Sequence, residues 1–325
     1  MYGKKPCRGL ATLTLSLLAF GPLACTDYLI ETTLNPDGSG LRVERIEVSE
    51  NDDVEASAAD YTLVMHTTQE EGWTHGVRVD SDGDTVQVFD RRVPVTNLSF
   101  WSRLSDRFKI DGTTPAKAGA RLGYVTLGDV GFRNAVRVGR GEVSDGTTTF
   151  SYRETFTWTR AVDALVEFFM VELDEALADR YPLLSQVERG QMVGFARARY
   201  WVALEEGLLG DDSDEDQMLT EAARRTAEQA VKTVRVRYPS AEEDGLEGLF
   251  KEVLLDDDRF LALTRELPGL DLAFNANVVF RLNLPGTVTD SNAHKRDGAT
   301  LVWEFGPADA LMTPVEIYAE SVVKR

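Results

Sequence analysis

The sequence predicts an α+β protein: a mainly antiparallel sheet built from both ends of the chain, with a large helical insertion between them. Three observations carry that expectation. Apolar and polar residues alternate with period two through much of residues 28–158, and again from about 270 onward. Between roughly 160 and 268 the apolar residues recur instead at helical spacing. Pro268-Gly269 ends that run, as a helix terminator does. The expected division is a leader over 1–24, a β-rich domain over 25–158 and 270–325, and a helical insert over 159–269.

The first segment reads as an address. Lys4, Lys5 and Arg8 precede an apolar run from Leu10 to Phe20, and Gly21-Pro22-Leu23-Ala24-Cys25 closes it. A basic start, a short apolar stretch and small residues at a cleavage point are the parts of a secretory signal. The run is too short to span a bilayer, which takes about 20 residues. Cys25 after Leu-Ala makes it resemble a bacterial lipoprotein signal, in which that cysteine is acylated and becomes the first residue. Ordinary secretion with an unmodified Cys25 is the alternative. Removing those three bases and no acid would take the formal charge from −19 to −22 and leave Cys25 as the one remaining cysteine.

Residues 28–49 read as a hairpin around the Asn35-Pro36-Asp37-Gly38-Ser39-Gly40 turn. Its return strand has Leu41 and Val43 in one phase and Ile46 and Val48 in the other, which suggests a bulge near Glu44-Arg45. Asp52–Glu71 reads as a helix. Val77 and Val79 pair as a second hairpin with Val86 and Val88 across Ser81-Asp82-Gly83-Asp84. Residues 94–130 give no clear period beyond a helical turn around Leu98–Phe108. Phe132, Val136 and Val138 mark one further strand; Phe150, Tyr152, Phe156 and Trp158 mark another.

In the insert, Val162, Leu165, Phe169, Leu173, Ala176 and Leu177 form the first helical stripe. A second helix, near 183–209, is expected to bury Met192, Phe195, Ala198, Val202 and Leu209. A third, near 215–236, carries Glu221–Arg225 and Arg224–Glu228 as i,i+4 pairs. Leu246, Leu249, Phe250 and Val253 mark a fourth, and Phe260, Leu263 and Leu267 a short fifth. Every even position from Leu272 to Leu284 except the small Ala276 is large and apolar, which is a strand with one wet face. Thr300–Phe305 and Val315–Val323 complete the sheet.

Composition excludes more than the motifs supply. With 54 acidic against 35 basic side chains the protein lacks the basic surface a nucleic acid requires. Two cysteines build neither a disulfide framework nor a cysteine zinc cluster. His66, His75 and His294 have no metal-ligand spacing, so no metal and no cofactor is expected. Asp80–Asp84 lacks the glycine and glutamate of a calcium loop and reads as a turn; Asp211–Asp216 fails likewise and reads as helix capping. No nucleophile elbow, phosphate loop or dinucleotide fingerprint is present, so an enzyme is not expected.

Glu154 breaks the local pattern. It stands in phase with Phe150, Tyr152, Phe156 and Trp158, on the side that should be buried. A buried carboxylate needs a partner, or it marks a site. An arginine such as Arg133 or Arg137 would satisfy it. Otherwise Glu154, with Tyr152 and Trp158, would be a polar anchor in an apolar ligand cavity.

Leu284-Pro285-Gly286-Thr287-Val288, then Asn292, then Asp297-Gly298 and a strand containing Trp303 follow one another near the C-terminus. With Cys25 and the Asn35–Gly40 turn, these residues resemble the LppM-type family of bacterial envelope lipoproteins. The resemblance covers the two β-rich ends and not the helical insert. It implies a helix-backed sheet able to hold a lipid or another apolar ligand, and no catalytic residues. The expectation is therefore a non-enzymatic lipoprotein of the exported cell envelope, attached to a membrane through acylated Cys25 and binding an apolar or lipid ligand between sheet and helices. Two alternatives stand beside it: an assembly component docking a partner protein through the insert, and an enzyme with an unfamiliar site near Glu154.

Overall fold

A computed structural model describes residues 26–49, 67–80, 83–106, 131–142, 146–208, 215–254 and 276–324. Cys25 and its leader, His66, Asp211–Asp214, the short fifth helix and most of the expected 52–71 helix lie outside those residues. The described end of that last segment, Gln69–Glu71, is a 3-10 turn.

The first hairpin pairs β1 (Thr26–Leu34) with β2 (Gly40–Ser49), and the second pairs β3 (Trp73–Val79) with β4 (Thr85–Val95). After β4 come the short α1 (Leu98–Trp101) and a 3-10 turn, then β5 (Gly131–Glu142) and β6 (Thr147–Thr159). Four helices follow: α2 (Ala161–Arg180), α3 (Gln186–Glu205), α4 (Glu215–Arg235) and α5 (Glu243–Leu254). The chain returns as β7 (Ala276–Asn283), β8 (Thr287–Ser291), β9 (Lys295–Asp297), β10 (Thr300–Phe305) and β11 (Val315–Lys324). The expected α+β class, with strands from both ends around a helical middle, is what the chain forms.

The strands make two sheets rather than one. A seven-stranded sheet runs β3-β4-β2-β1-β7-β10-β9, and a four-stranded sheet runs β5-β6-β11-β8. Pairing is antiparallel except where β1 meets β7, in parallel register from Thr26 beside Ala276 to Thr33 beside Asn283. Rings from the two sheets meet face to face. Phe280 of β7 lies 6.1 Å from Tyr152 and 6.3 Å from Phe156, and Phe305 of β10 lies 5.1 Å from Phe156. The expected helix-backed sheet is therefore corrected: the aromatic face of β6 packs against a second sheet, because interdigitated rings fill the gap between two twisted faces.

The bulge is corrected too. The β1–β2 register runs without a slip from Thr26 opposite Val48 to Leu34 opposite Gly40. The inward phase of β2 is Arg42, Glu44, Ile46 and Val48, all buried, while Leu41 is 40% exposed. Two charged residues thus occupy core positions that an apolar-inside rule assigns to Leu41 and Val43.

The helices pack on one another in the order of the chain, with α5 also returning to α2. α2 buries residues around much of its circumference, including Leu165, Val166, Phe168, Phe169 and Met170. α3 buries Met192 as expected but turns the rest of a different face inward: Val193, Ala196, Tyr200, Ala203 and Leu204 are buried, whereas Ala198 and Val202 are exposed. Both expected i,i+4 pairs of α4 form. Strand β6 passes into α2 through one residue, Arg160, whose φ of 56° lies in the left-handed region. No connecting loop separates sheet and helix there.

Candidate functional site

Glu154 sits at the centre of β6 with no exposed surface. Its partner is not Arg133 or Arg137, which lie on the exposed side of β5. It is Arg42, reaching across from β2 in the other sheet. Arg42 donates through Nη1 at 3.0 Å and Nη2 at 2.9 Å to the two carboxylate oxygens of Glu154. Such a fork-on-carboxylate contact is the strongest geometry available to an ion pair. Tyr152 donates its hydroxyl to Glu154 at 2.5 Å, and the Asn134 side-chain amide donates from β5.

The network continues along the seven-stranded sheet. The Nε of Arg42 donates to Glu44 at 2.8 Å, and Arg91 of β4 holds the other Glu44 oxygen through Nε at 2.6 Å and through Nη2. Tyr28 donates to Glu44 at 3.3 Å. The Arg91 guanidinium lies 4.7 Å from the Trp73 ring centre, which closes the row at the edge of the sheet. Its Nη1 makes a looser ion pair at 3.8 Å with Glu71 Oε2, and neither atom has a hydrogen-bond partner among the described residues. Read from β4 to β6 the charges alternate: Arg91, Glu44, Arg42, Glu154. They sum to zero.

The electrostatics follow from that order. Burial alone pushes the Glu44 carboxyl up, but Arg42 and Arg91 together outweigh it and hold the group below the ordinary carboxylate range. Burial, reinforced by the neighbouring carboxylate, pushes both Tyr28 and Tyr152 well above the usual tyrosine range. For Arg42 burial works against the charge, while Glu154 and Glu44 restore it and leave the guanidinium charged.

Of the residues singled out in sequence, Glu154 and Tyr152 belong to this network. Trp158, in the same phase of β6, donates its indole N–H to the Pro307 carbonyl at 2.8 Å and packs against Phe132. The side-chain polar groups of Glu154, Tyr152 and Trp158 are thus all bonded within the chain. Arg42, Glu44, Arg91 and Asn134 are the charged and amide members that sequence reasoning missed. A signal was present: with the hairpin closed as Leu34 opposite Gly40, the even residues of β1 face the even residues of β2, which sets Arg42 beside the inward Thr32.

The C-terminal motif also acquires a physical role. Asn292 donates to the Glu316 carbonyl at 2.7 Å and accepts from the Tyr318 N–H at 2.8 Å and from Trp303 Nε1 at 3.0 Å. It therefore clamps β11 of one sheet to β10 of the other. Gly286, at φ 82°, has room for no side chain, since a Cβ there would lie 2.2 Å from the Val322 carbonyl oxygen.

The helical block offers a second candidate at its exposed end. The Leu183 N–H donates to Tyr238 OH at 2.8 Å, Arg237 pairs with Glu188 at 3.2 Å, and the Tyr181 and Tyr238 rings meet edge to face at 5.2 Å. A capping box between Ser185 and Glu188 starts α3 in the same corner. On this braced corner Leu183, Val187 and Val236 are 66%, 72% and 70% exposed.

Among the described residues no group of three or more His, Cys, Asp or Glu is placed to hold a metal ion. No described helix is long and apolar enough to cross a membrane. No family model matches the chain, and no curated protein matches it. Among solved structures it aligns with the folded domain of LppM from Mycobacterium tuberculosis over 94% of each chain, at 9% identity and a TM-score of 0.30. That is a weak resemblance of fold, too loose to transfer a ligand or a role.

Proposed function

We propose that the protein is a non-enzymatic docking component of the bacterial cell envelope, tethered by acylated Cys25, that binds a partner protein through the outer corner of its helical block. The observation that carries the docking reading is the braced corner at Leu183, Val187 and Val236. Three large apolar side chains left in solvent offer a partner apolar surface to cover, and a corner held by a capping box and a cross-turn ion pair loses little entropy on binding. The saturation of Glu154 by Arg42, Asn134 and Tyr152 favours this reading over an enzyme at that residue. The ring contacts between the two sheets favour it over an apolar ligand held by β6.

Two measurements test the parts separately. Mass spectrometry of the mature N-terminal peptide is expected to find a lipid-sized addition on Cys25 that Cys25→Ser abolishes; an unmodified peptide removes the tether. Replacing Leu183, Val187 and Val236 together by Asp is expected to leave the circular dichroism unchanged and to eliminate proteins cross-linked to the native chain in envelope extracts. An unchanged cross-linking pattern would refute docking at this corner, and lipid co-purifying in stoichiometric amount would favour the ligand reading instead.

A further inference from the structure

Strand β3 presents three features that the described residues do not account for. It is an edge strand: among the described residues it pairs with β4 and with nothing on its other side. After Trp73 every residue to Val79 is exposed, with Val77 at 59% and Val79 at 68%. Gly76 stands in its middle, with ordinary backbone angles and no atom within 4 Å of where a Cβ would be.

Each feature is costly by itself. A row of unpaired backbone groups beside exposed valines is a template for another strand, which soluble proteins ordinarily blunt with proline, lysine or a bulge. Trp73–Val79 contains neither proline nor lysine, its one permanent charge, Arg78, is turned to Glu47 of β2 at 2.6 Å, and its register against β4 has no slip. A glycine inside a strand weakens it and marks close approach of another backbone when no bulge explains it. Among the described residues neither bulge, nor positive φ, nor crowding requires glycine.

We infer that β3 pairs antiparallel with β3 of a second copy of this chain, about a two-fold axis at Gly76. The sequence is self-complementary in that register. Trp73 falls opposite Val79 of the other copy and His75 opposite Val77, all on one face; Thr74 falls opposite Arg78 on the other face. Each apolar side chain meets a ring or another apolar side chain, and no charge faces its like. At the axis glycine meets glycine, where two backbones come closest. A two-fold contact requires the same surface on both copies, and β3 is centred on its own glycine. The inference is independent of the helical corner and of the tether, since it concerns the opposite kind of element and a different partner.

The test uses the full chain with Cys7→Ser and Cys25→Ser, so that no native thiol remains. Light scattering across a concentration series is expected to show a dimer whose dissociation constant rises by roughly tenfold or more on Val77→Lys, a change of 1.4 kcal/mol per tenfold. Val77 is exposed, so the lysine leaves the monomer folded. In the same background Gly76→Cys is expected to form a disulfide-linked dimer on mild oxidation, because directly opposed residues of antiparallel strands have Cα atoms about 4.5–5.5 Å apart, within disulfide reach. Val79→Cys, displaced from the axis, is expected not to cross-link to itself. A monomer at every concentration, or equal cross-linking of the two cysteine variants, overturns the inference.

Discussion

The sandwich and the helical block contain the same ion-pair chemistry in opposite surroundings. Between the sheets, Arg42 and Glu154 are 1% and 0% exposed and bonded at nearly every polar atom. On α4, Arg225 and Glu221 are 50% and 41% exposed and make a comparable contact at 2.6 Å. Hydrogen bonds from Arg224 and Arg225 bring the Glu221 carboxyl down to about 2, yet water screens both partners. Buried charges depend on each other completely; exposed ones have solvent to fall back on. The difference teaches that one kind of pair fixes which strands face which, while the other decorates a helix that its apolar face already holds.

The largest test of that contrast is Arg42→Met. It leaves Glu154 buried without its cation and Glu44 with only Arg91, and chemical denaturation is expected to show a loss of about 3–5 kcal/mol. Adding Glu154→Leu to Arg42→Met should recover much of it, since the remaining Arg91–Glu44 pair is balanced. If the double variant is as unstable as the single, the network contributes through something other than charge balance.

A smaller effect is expected from pH. Glu44 titrates below its ordinary value of 4.5 in the folded chain, so its contribution is complete above that value and disappears as pH falls through the lower folded value. Tyr28 and Tyr152 titrate above their ordinary 10.0, so their contribution is complete below pH 10.0 and is lost as pH rises beyond it. Denaturation midpoints should form a plateau between these limits and fall on both sides. A slope centred near neutrality would contradict the assignment. The smallest effect is Arg225→Ala on α4, which should leave the thermal midpoint unchanged within error; a clear drop would mean that exposed pairs hold the helical block after all.

How much was legible in the sequence divides along the same line. Elements whose stability is local were readable: α5 buries the four residues its spacing marks, Leu246, Leu249, Phe250 and Val253, and β10 spans the expected Thr300–Phe305. Glu154 was readable as a misfit because four aromatic residues set the phase around it. Arg42 and Glu44 were not, because Leu41 and Val43 offer an apolar phase one residue away and a bulge reconciles it with Ile46. What decides between them is a carboxylate 112 positions after Arg42 on another sheet. The second sheet was hidden for the same reason, since period two shows that a face is buried and not what buries it. The exposed corner at Leu183 leaves no periodic trace: Val187 looks like any apolar residue at the start of a helix.

The parallel contact between β1 and β7 has a consequence for how the molecule comes into being. β1 lies in the middle of its sheet, and one of its two neighbours is made some 250 positions afterwards, with Thr26 waiting for Ala276. A chain that emerges N-terminus first, from ribosome or export channel, can close the β1–β2 hairpin at once, but not the sheet. Until the last fifty residues arrive, the far side of β1 is an open template with Ile30 and Leu34 uncovered. Assembly from such distant parts is slow. The protein is therefore one whose yield should depend on a holdase during synthesis, however stable the finished sandwich proves to be.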